Sequence, residues 1–185
     1  MLNDRDIKEE NDQLLVPRWR MLIEQRAKTD AMRLGMTPLS VEYISSLDEI
    51  QIKRASDCSS PLFYLSQPSD VIAKLLTAGV ESDIAPFDDL DRLVQNENYV
   101  VLLNRWASVK TSVVHAQCTF GLSAAVVRAL QGATIKDIKS ASQKGIRLVS
   151  LAPRPKYFFH AGRNIRLQRS MRTALAVCSS SRAFF

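Results

Sequence analysis

The stretch "TFGLSAAVVRALQGATIKDIKSASQKGIRLVSL", Thr119–Leu151, has the same layout as an earlier stretch, "RLGMTPLSVEYISSLDEIQIKRASDCSSPLFYL", Arg33–Leu65. Each passes from a glycine through two helix starts to a short apolar run. The glycine stands where a left-handed residue commonly ends a helix. Aligning Gly35 with Gly121 predicts that one unit occurs twice, at roughly residues 12–78 and 97–164.

A helix with one buried face is predicted before each glycine. Apolar residues recur there at spacings of three and four, which is typical of such a helix. Trp19 and Trp106 lie within these patterns, so they are interpreted as core anchors rather than platforms for stacked bases. Together with Leu34 and Phe120 they are the predicted core or interface residues.

Two further helices and a short strand are predicted in each copy. Thr37 before Pro38, and Ser123 in the second copy, are typical N-caps of the next helix. For the third helix the sequence suggests capping boxes, Ser46 with Glu49 in copy one and Thr134 with Asp137 in copy two. On this alignment copy one carries one or two extra residues. Strand-like runs follow at 62–65 and 146–151.

The predicted fold is mainly α, with two tandem helix-turn-helix-like units, each with a short β element, packed as a pseudo-dimer. The predicted domains are a first repeat at 1–78, an acidic linker at 79–96 containing a short helix from Asp88 to Leu93, a second repeat at 97–160, and a basic C-terminal helix or tail at 161–185.

Composition narrows the class of protein. The chain has 185 residues, of which 46% are hydrophobic, so it is expected to fold around a core. No apolar run approaches the ~20 residues of a membrane helix, and the polar N-terminus does not resemble a signal peptide. We expect a cytoplasmic protein with no membrane partner. Its three cysteines do not suggest a disulfide framework.

Positive charge is concentrated at the C-terminal end. Residues 136–185 carry eleven Lys or Arg residues and a single acid, Asp137, although the whole chain has a net charge of only +6. A basic end on a mildly acidic body indicates a surface that meets a polyanion. A solvated basic tail is the alternative, and composition alone favours neither.

Two sets of side chains are predicted to contact duplex DNA. The third helix of copy two and the run after it would face the major groove with Lys136, Lys139, Gln143, Lys144 and Arg147. A C-terminal helix would hold phosphates with Arg163, Arg166, Arg169 and Arg172. Two alternatives stay open: helix lysines that are merely solvated, and an amphipathic helix that binds an acidic partner.

No enzyme is expected. The chain has no glycine-rich phosphate loop, nucleophile elbow or HExxH motif. His115 and Cys118 have a spacing that zinc ligands use, but a buried cysteine on a helix is the commoner explanation. Neither a metal nor another cofactor is predicted.

The two copies resemble the FlhD family, the flagellar master transcriptional regulators of enteric bacteria. The resemblance lies in "AAVVRALQGA", "TIKDIKSAS" and "IRLVSL" of the second copy and in "DAMRLGM" and "SPLFYLSQPSDVIAKLL" of the first. Members of that family are helical, dimerise, and bind promoter DNA with a partner, FlhC, to recruit RNA polymerase. Similar activator pairs control transfer genes on some mobile elements. The partner's four-cysteine zinc site is absent from this sequence.

The resemblance implies a transcriptional activator that works with an FlhC-like subunit, duplex DNA and RNA polymerase at promoters of flagellar or mobile-element transfer genes. Self-association is left open. The main rival is a protein–protein adaptor that does not contact nucleic acid. An RNA-binding regulator would also use the basic tail, but no aromatic platform pattern supports it.

Overall fold

The computed structural model describes residues 4–24, 31, 33–78 and 85–180 and is mainly helical, with two short strands. The elements of the first half are α1 (Asp4–Ile23), α2 (Pro38–Ser45), α3 (Glu49–Ser56), β1 (Phe63–Leu65) and α4 (Ser69–Thr77). The elements of the second half are α5 (Asp89–Thr111), α6 (Val113–Phe120), α7 (Ala124–Gly132), α8 (Ile135–Ser142), β2 (Val149–Leu151), α9 (Pro155–Arg163) and α10 (Arg169–Ser179). None of the helices in the described ranges has the length and apolar character of a membrane span.

An internal repeat is visible in the element order. Helix α8 begins 86 positions after α3 (135 against 49), β2 86 after β1 (149 against 63), and α9 86 after α4 (155 against 69). In α1 and α5 the equivalent residues are 87 apart, as Trp19 and Trp106 illustrate (106 against 19). The predicted repeat therefore corresponds to a repeat of structure, with a one-residue difference before the glycines.

The chain divides into two compact units, and neither unit coincides with one repeat. Unit 1 is Tyr64–Val149 and contains α4 to α8. Unit 2 joins the residues up to Phe63 with those from Ser150 onward, and contains α1 to α3, α9 and α10. In unit 1, α4 of the first repeat packs on α7 and α8 of the second. In unit 2, α9 of the second repeat packs on α2 and α3 of the first. Each unit thus takes one helix, α4 or α9, from the other repeat, which the boundaries 1–78 and 97–160 do not describe.

The two strands mark the places where the chain passes from one unit to the other. β1 and β2 pair with each other as a two-stranded sheet. Beyond one end of the pair, Ser66 N donates to Leu148 O at 2.8 Å within unit 1. Beyond the other end, Ala152 N donates to Leu62 O at 2.8 Å within unit 2. Both strands are shorter than the runs 62–65 and 146–151 predicted from the sequence.

A buried asparagine on the first helix of each repeat holds the segment that leads into the strand. In unit 2, Asn11 Oδ1 accepts from Leu62 N at 2.9 Å, and its amide nitrogen donates to Ser60 O at 3.1 Å. In unit 1, Asn98 Oδ1 accepts from Leu148 N at 2.9 Å, and its amide nitrogen donates to Ile146 O at 2.8 Å. A buried backbone group needs such a partner, so the same asparagine is used at the same place in both repeats.

Most of the predicted caps are confirmed. Thr37 and Ser123 are the N-caps of α2 and α7, and their side chains accept from Ser40 N and Val126 N respectively. Thr134 and Asp137 form the predicted capping box of α8. Gly121 is the left-handed C-cap of α6, with φ +64°, as expected. Gly35 also has a positive φ, +67°; the helix predicted before it is described as α1 up to Ile23, and residues 25–30 and 32 lie outside the described residues.

The capping box predicted for the third helix of copy one is wrong. Asp48, not Ser46, is the N-cap of α3, and its partner is Gln51 rather than Glu49. Ser46 ends α2 instead, where its backbone N–H bonds Glu42 O. Because Asp48 is equivalent to Thr134 at the same spacing of 86, copy one has no extra residue here.

The predicted linker was also too long. Asp88 is the N-cap of α5, where its Oδ1 accepts from Asp91 N at 2.7 Å, so residues 89–96 belong to a helix that continues to Thr111. Acidic residues in the first turn complement the helix dipole, and a buried Leu90 anchors the helix. The helix expected to run up to Phe120 is broken at Ser112, which caps α6 by accepting from His115 N.

The contact of α9 with α3 depends on Gly162. A Cβ at this position would lie 3.0 Å from Gln51 O and 3.0 Å from Leu47 Cδ1. The backbone oxygen cannot move away as the end of a flexible side chain would. We expect Gly162→Ala to lower the free energy of unfolding by about 2 kcal/mol through overpacking.

Gly132 provides the matched control, since it also lies in the last turn of a helix but has open space where a Cβ would go. Gly132→Ala should be neutral or stabilise by about 0.5 kcal/mol. Urea unfolding followed by circular dichroism measures both variants. Equal stabilities for the two would contradict the close contact.

Candidate functional site

The nine predicted DNA-contacting residues divide between the two units. Unit 1 holds the five on and after α8, and unit 2 holds the four arginines of the C-terminal segment. On α8, Lys136 and Lys139 are exposed, while Gln143, the C-cap, is half-buried. Lys144 and Arg147 are half-buried in the segment that leads to β2, so Arg147 precedes the strand rather than lying on it.

Lys136 and Lys139 are exposed on α8 because the opposite side of the helix packs into the core. Ile138 and Ala141 are buried, and Lys136 and Lys139 lie on the opposite side of the turn. The start of the helix is held by Asp137, which accepts from the backbone N–H and the hydroxyl of Thr134 at 2.8 and 2.7 Å. These hydrogen bonds hold the pKa of Asp137 below its usual value, so this carboxylate is charged and engaged at neutral pH.

The equivalent helix α3 carries its charges differently. Glu49 Oε1 lies 2.8 Å from Lys53 Nζ and 3.4 Å from Arg20 Nη2. The hydrogen bond and positive charge of Lys53, with a smaller contribution from Arg20, lower the pKa of Glu49. Lysine charge on α3 is therefore balanced by a carboxylate on the same helix.

Helix α8 lacks that balancing carboxylate. Ile135 occupies the position of Glu49, and Lys139 that of Lys53 (both pairs 86 apart). Lys136 replaces Ile50 at a second exposed position. Across the described part of the chain, no carboxylate oxygen lies within ion-pair distance of Lys136 or Lys139. Lys136 and Lys139 are thus available to an outside anion, whereas Lys53 of α3 already has an ion-pair partner.

Lys139 also lines a cleft of about 370 Å³ within unit 1. The cleft lies between α5 and α8, and its lining residues are Arg92, Gln95, Asn96, Tyr99, Lys139, Ser142 and Gln143. The four residues from α5 were missed by the sequence analysis, because part of α5 was assigned to the linker. Their spacing of three and four was the available signal, since it places them on one helix face.

Arg172 is not available to phosphate, and its prediction as a DNA contact is corrected. Its side chain is buried, its Nε donates to Asp57 O at 2.8 Å, and its Nη2 bonds the Asp57 carboxylate. Nη1 donates to Leu167 O. Arg169 is half-buried, and its Nε lies 3.6 Å from Asp57 Oδ1. These two arginines attach α10 to the end of α3.

The remaining two arginines are exposed. Arg163 ends α9 with its guanidinium 4.5 Å from the ring centre of Phe159 and within 3.5 Å of Ser46 O. Arg166 lies in the break between α9 and α10. The C-terminal segment is therefore two helices, α9 and α10, rather than the single helix predicted to carry all four arginines.

The predicted core residues lie at equivalent places in the two units. Trp19 is buried and donates from Nε1 to Leu47 O at 2.8 Å, while the half-buried Trp106 donates to Ala133 O at 2.9 Å. Leu34 and Phe120 are buried. The guanidinium of Arg105 lies 3.8 Å from the Phe120 ring centre, and that of Arg18 lies 5.2 Å from the Phe63 ring centre, so each core combines an apolar and a cationic group.

Buried charges on the first helix of each repeat were missed by the sequence analysis. Glu10 and Arg18 on α1, and Glu97 and Arg105 on α5, are each at most 3% exposed. A charge is tolerated at such depth only when it is paired or hydrogen-bonded. In the sequence, Glu10 and Glu97 are 87 positions apart, as are Arg18 and Arg105, and this shared spacing could have revealed the two equivalent pairs.

Potential metal ligands and the cysteine thiols were located in the described part of the chain. No group of three or more His, Cys, Asp or Glu side chains is placed to hold a metal ion within the described ranges. Burial raises the pKa of the Cys58 thiol, while Cys118 and Cys178 are exposed.

Comparison with protein-family models, curated proteins and solved structures found no match to this chain.

Proposed function

We propose that this protein is a DNA-binding transcriptional regulator whose α8 contacts the duplex. One observation carries the proposal: Lys136 and Lys139 are exposed on α8 and lie beyond ion-pair distance of every described carboxylate, while Lys53 on the equivalent α3 is paired with Glu49. An unbalanced cationic helix face attracts a polyanion and releases its condensed counterions on binding. Duplex DNA also offers a major groove wide enough for a helix.

The lysines and arginines have different roles in this proposal. Lys136 and Lys139 would contact backbone phosphates or base edges from α8, and Gln143 and Lys144 would extend that surface at its C-terminal end. Arg163 and Arg166 are the two C-terminal arginines that remain exposed and would add phosphate contacts. Phosphate contacts position a protein on DNA without reading sequence.

The regulatory part of the proposal rests on the resemblance to the FlhD family. We infer an activator in the cytoplasm that acts with an FlhC-like subunit and RNA polymerase at promoters of flagellar or mobile-element transfer genes. The alternative function is a protein–protein adaptor. The cleft between α5 and α8 favours it, because a surface cleft can hold part of another protein.

A salt series of binding to a random 20-base-pair duplex tests the DNA contact. Each phosphate contact contributes about 0.9 to the slope of log affinity against log salt. We expect the double variant Lys136→Ala with Lys139→Ala to bind more weakly, with a slope shallower by about 2.

Lys53→Ala is the matched control, because Lys53 occupies the position of Lys139 but is paired with Glu49. Its affinity and slope should equal those of the unaltered protein. If the unaltered protein does not bind duplex DNA at low salt, or if Lys53→Ala has the same effect as the α8 variant, the proposal is wrong and the adaptor function is preferred.

A further inference from the structure

One face of α9 carries cationic and aromatic side chains at helical spacing. Lys156, His160 and Arg163 are exposed on it, and Phe159 is half-buried among them. Residues three, four and seven positions apart lie on one side of a helix, so these four side chains form a single row, the α9 stripe. Residues 138–185 contain no Asp or Glu, so this part of the chain supplies no acid to balance the stripe.

An aromatic cluster lies at the centre of the α9 stripe. The rings of Tyr43 on α2 and Phe159 are in T-shaped contact, with their centres 5.7 Å apart, and the His160 ring lies 5.5 Å from Phe159 in the same manner. The guanidinium carbon of Arg163 lies 4.5 Å from the Phe159 ring centre, a cation–π arrangement. Tyr43 and Phe159 are 116 positions apart (159 against 43), so the sequence alone did not show this cluster.

The cations of the α9 stripe have no acidic partner. Across the residues that the structure describes, no carboxylate oxygen lies within ion-pair distance of Lys156, His160 or Arg163. The guanidinium of Arg163 donates instead to the carbonyl and hydroxyl oxygens of Ser46, at 3.5 and 3.4 Å. Positive charge on this face is therefore not neutralised by neighbouring side chains.

The equivalent helix of unit 1 has the same pattern of exposure with different chemistry. In α4 the positions of Lys156, Phe159, His160 and Arg163 are occupied by Asp70, Ala73, Lys74 and Thr77 (each pair 86 apart). Lys74 Nζ lies 4.0 Å from Asp70 Oδ2, so its charge is balanced on its own helix. Ala129 takes the place of Tyr43. Packing of this helix in the repeat therefore requires neither aromatic rings nor unbalanced cations at these positions.

We propose that the α9 stripe binds single-stranded nucleic acid. Unpaired bases stack on aromatic rings and on guanidinium planes, while neighbouring cations hold the backbone phosphates. Arg163, backed by Phe159, and Tyr43 supply the flat groups, and Lys156 supplies a phosphate contact further along the stripe. A duplex keeps its bases stacked on one another and offers none to such a surface. The inference goes beyond the duplex contact proposed for α8 and does not rest on it.

The test measures binding of labelled strands of about 12 nucleotides to the full chain by fluorescence anisotropy at low salt. Oligo-dT and oligo-rU present unpaired bases on different sugars, and an abasic strand of the same length presents the phosphates alone. We expect a base-carrying strand to bind at least about tenfold more tightly than the abasic strand, because stacking adds to the phosphate contacts. The tighter of the two base-carrying strands identifies DNA or RNA as the source.

Variants of the full chain separate stacking from charge. Arg163→Lys keeps the positive charge but removes the guanidinium plane, so it should weaken the base-carrying strand by about tenfold and reduce its advantage over the abasic strand. Lys156→Ala should make the salt dependence shallower by about 0.7, the contribution of one phosphate contact to a single strand.

Arg154→Lys is the matched control for Arg163→Lys. Arg154 is exposed at the N-cap of the same helix and has no cation–π contact among the described residues. Its substitution should leave the affinity for every strand unchanged. Both arginines are exposed, so both variants are expected to fold, and circular dichroism checks this.

Three outcomes overturn the inference. Absence of binding by both base-carrying strands would favour an acidic protein as the partner of the stripe. Equal affinity for the base-carrying and abasic strands, or equal effects of Arg163→Lys and Arg154→Lys, would show a surface that holds phosphate without stacking bases. The duplex proposal is judged separately by the Lys136 and Lys139 variants, so failure of one proposal leaves the other standing.

Discussion

Asn98→Ala is expected to lower the free energy of unfolding by about 3 kcal/mol. The asparagine is 1% exposed and holds the segment before β2 through Leu148 N at 2.9 Å and Ile146 O at 2.8 Å. Removing the side chain leaves the buried Leu148 N–H without its partner, which costs about 1–3 kcal/mol, and each further lost bond costs about 1 kcal/mol. Urea unfolding followed by circular dichroism measures the change.

Asn96→Ala is the control on the same helix. Asn96 is exposed, so its removal should change stability by less than about 0.5 kcal/mol. Asn11→Ala in unit 2 should cost about as much as Asn98→Ala, because Asn11 makes the equivalent bonds to Leu62 and Ser60. If Asn98→Ala lowers the free energy of unfolding no more than Asn96→Ala does, Asn98 does not hold the segment before β2.

Arg172→Met is expected to cost about 2–3 kcal/mol of stability and to release α10 from unit 2. Methionine keeps much of the apolar stem but removes the donors to Asp57 O, the Asp57 carboxylate and Leu167 O. Breaking a fully buried pair costs about 3–5 kcal/mol. The expected loss is smaller here because Lys8 and Arg169 remain near the partly exposed Asp57. Urea unfolding and the rate of proteolysis in α10 are the measurements.

Arg166→Met separates this structural role from DNA binding. Arg166 is exposed, so the substitution should leave stability unchanged but make the salt dependence of DNA binding shallower by about 1. Arg172→Met should leave that slope unchanged. If instead Arg172→Met reduces the slope and spares the stability, the original interpretation of Arg172 as a phosphate contact is right.

Part of the candidate site could be predicted from sequence because its signals are local. The cap of α8 by Thr134 depends on residues within one turn, and its exposed lysines follow from the spacing of Ile138 and Ala141. Arg92 and Tyr99 could not be predicted as neighbours of Lys139. Their meeting depends on how α5 packs against α8, and the acidic composition around Asp88 had suggested a linker.

The sequence by itself determined the repeat, the caps at Thr37, Ser123 and Thr134, and the left-handed glycine at position 121. The repeat can be read by aligning the chain with itself, and the caps and the glycine depend on backbone preferences and hydrogen bonds between residues a few positions apart. Only the tertiary structure decided that α4 and α9 exchange between the repeats, and that Arg172 lies buried on Asp57 while Lys139 lies exposed. The reason is that burial and charge pairing join residues far apart in the chain, as with Arg172 and Asp57, which are 115 positions apart. No local pattern distinguishes an arginine that will pair with a carboxylate from one that will not.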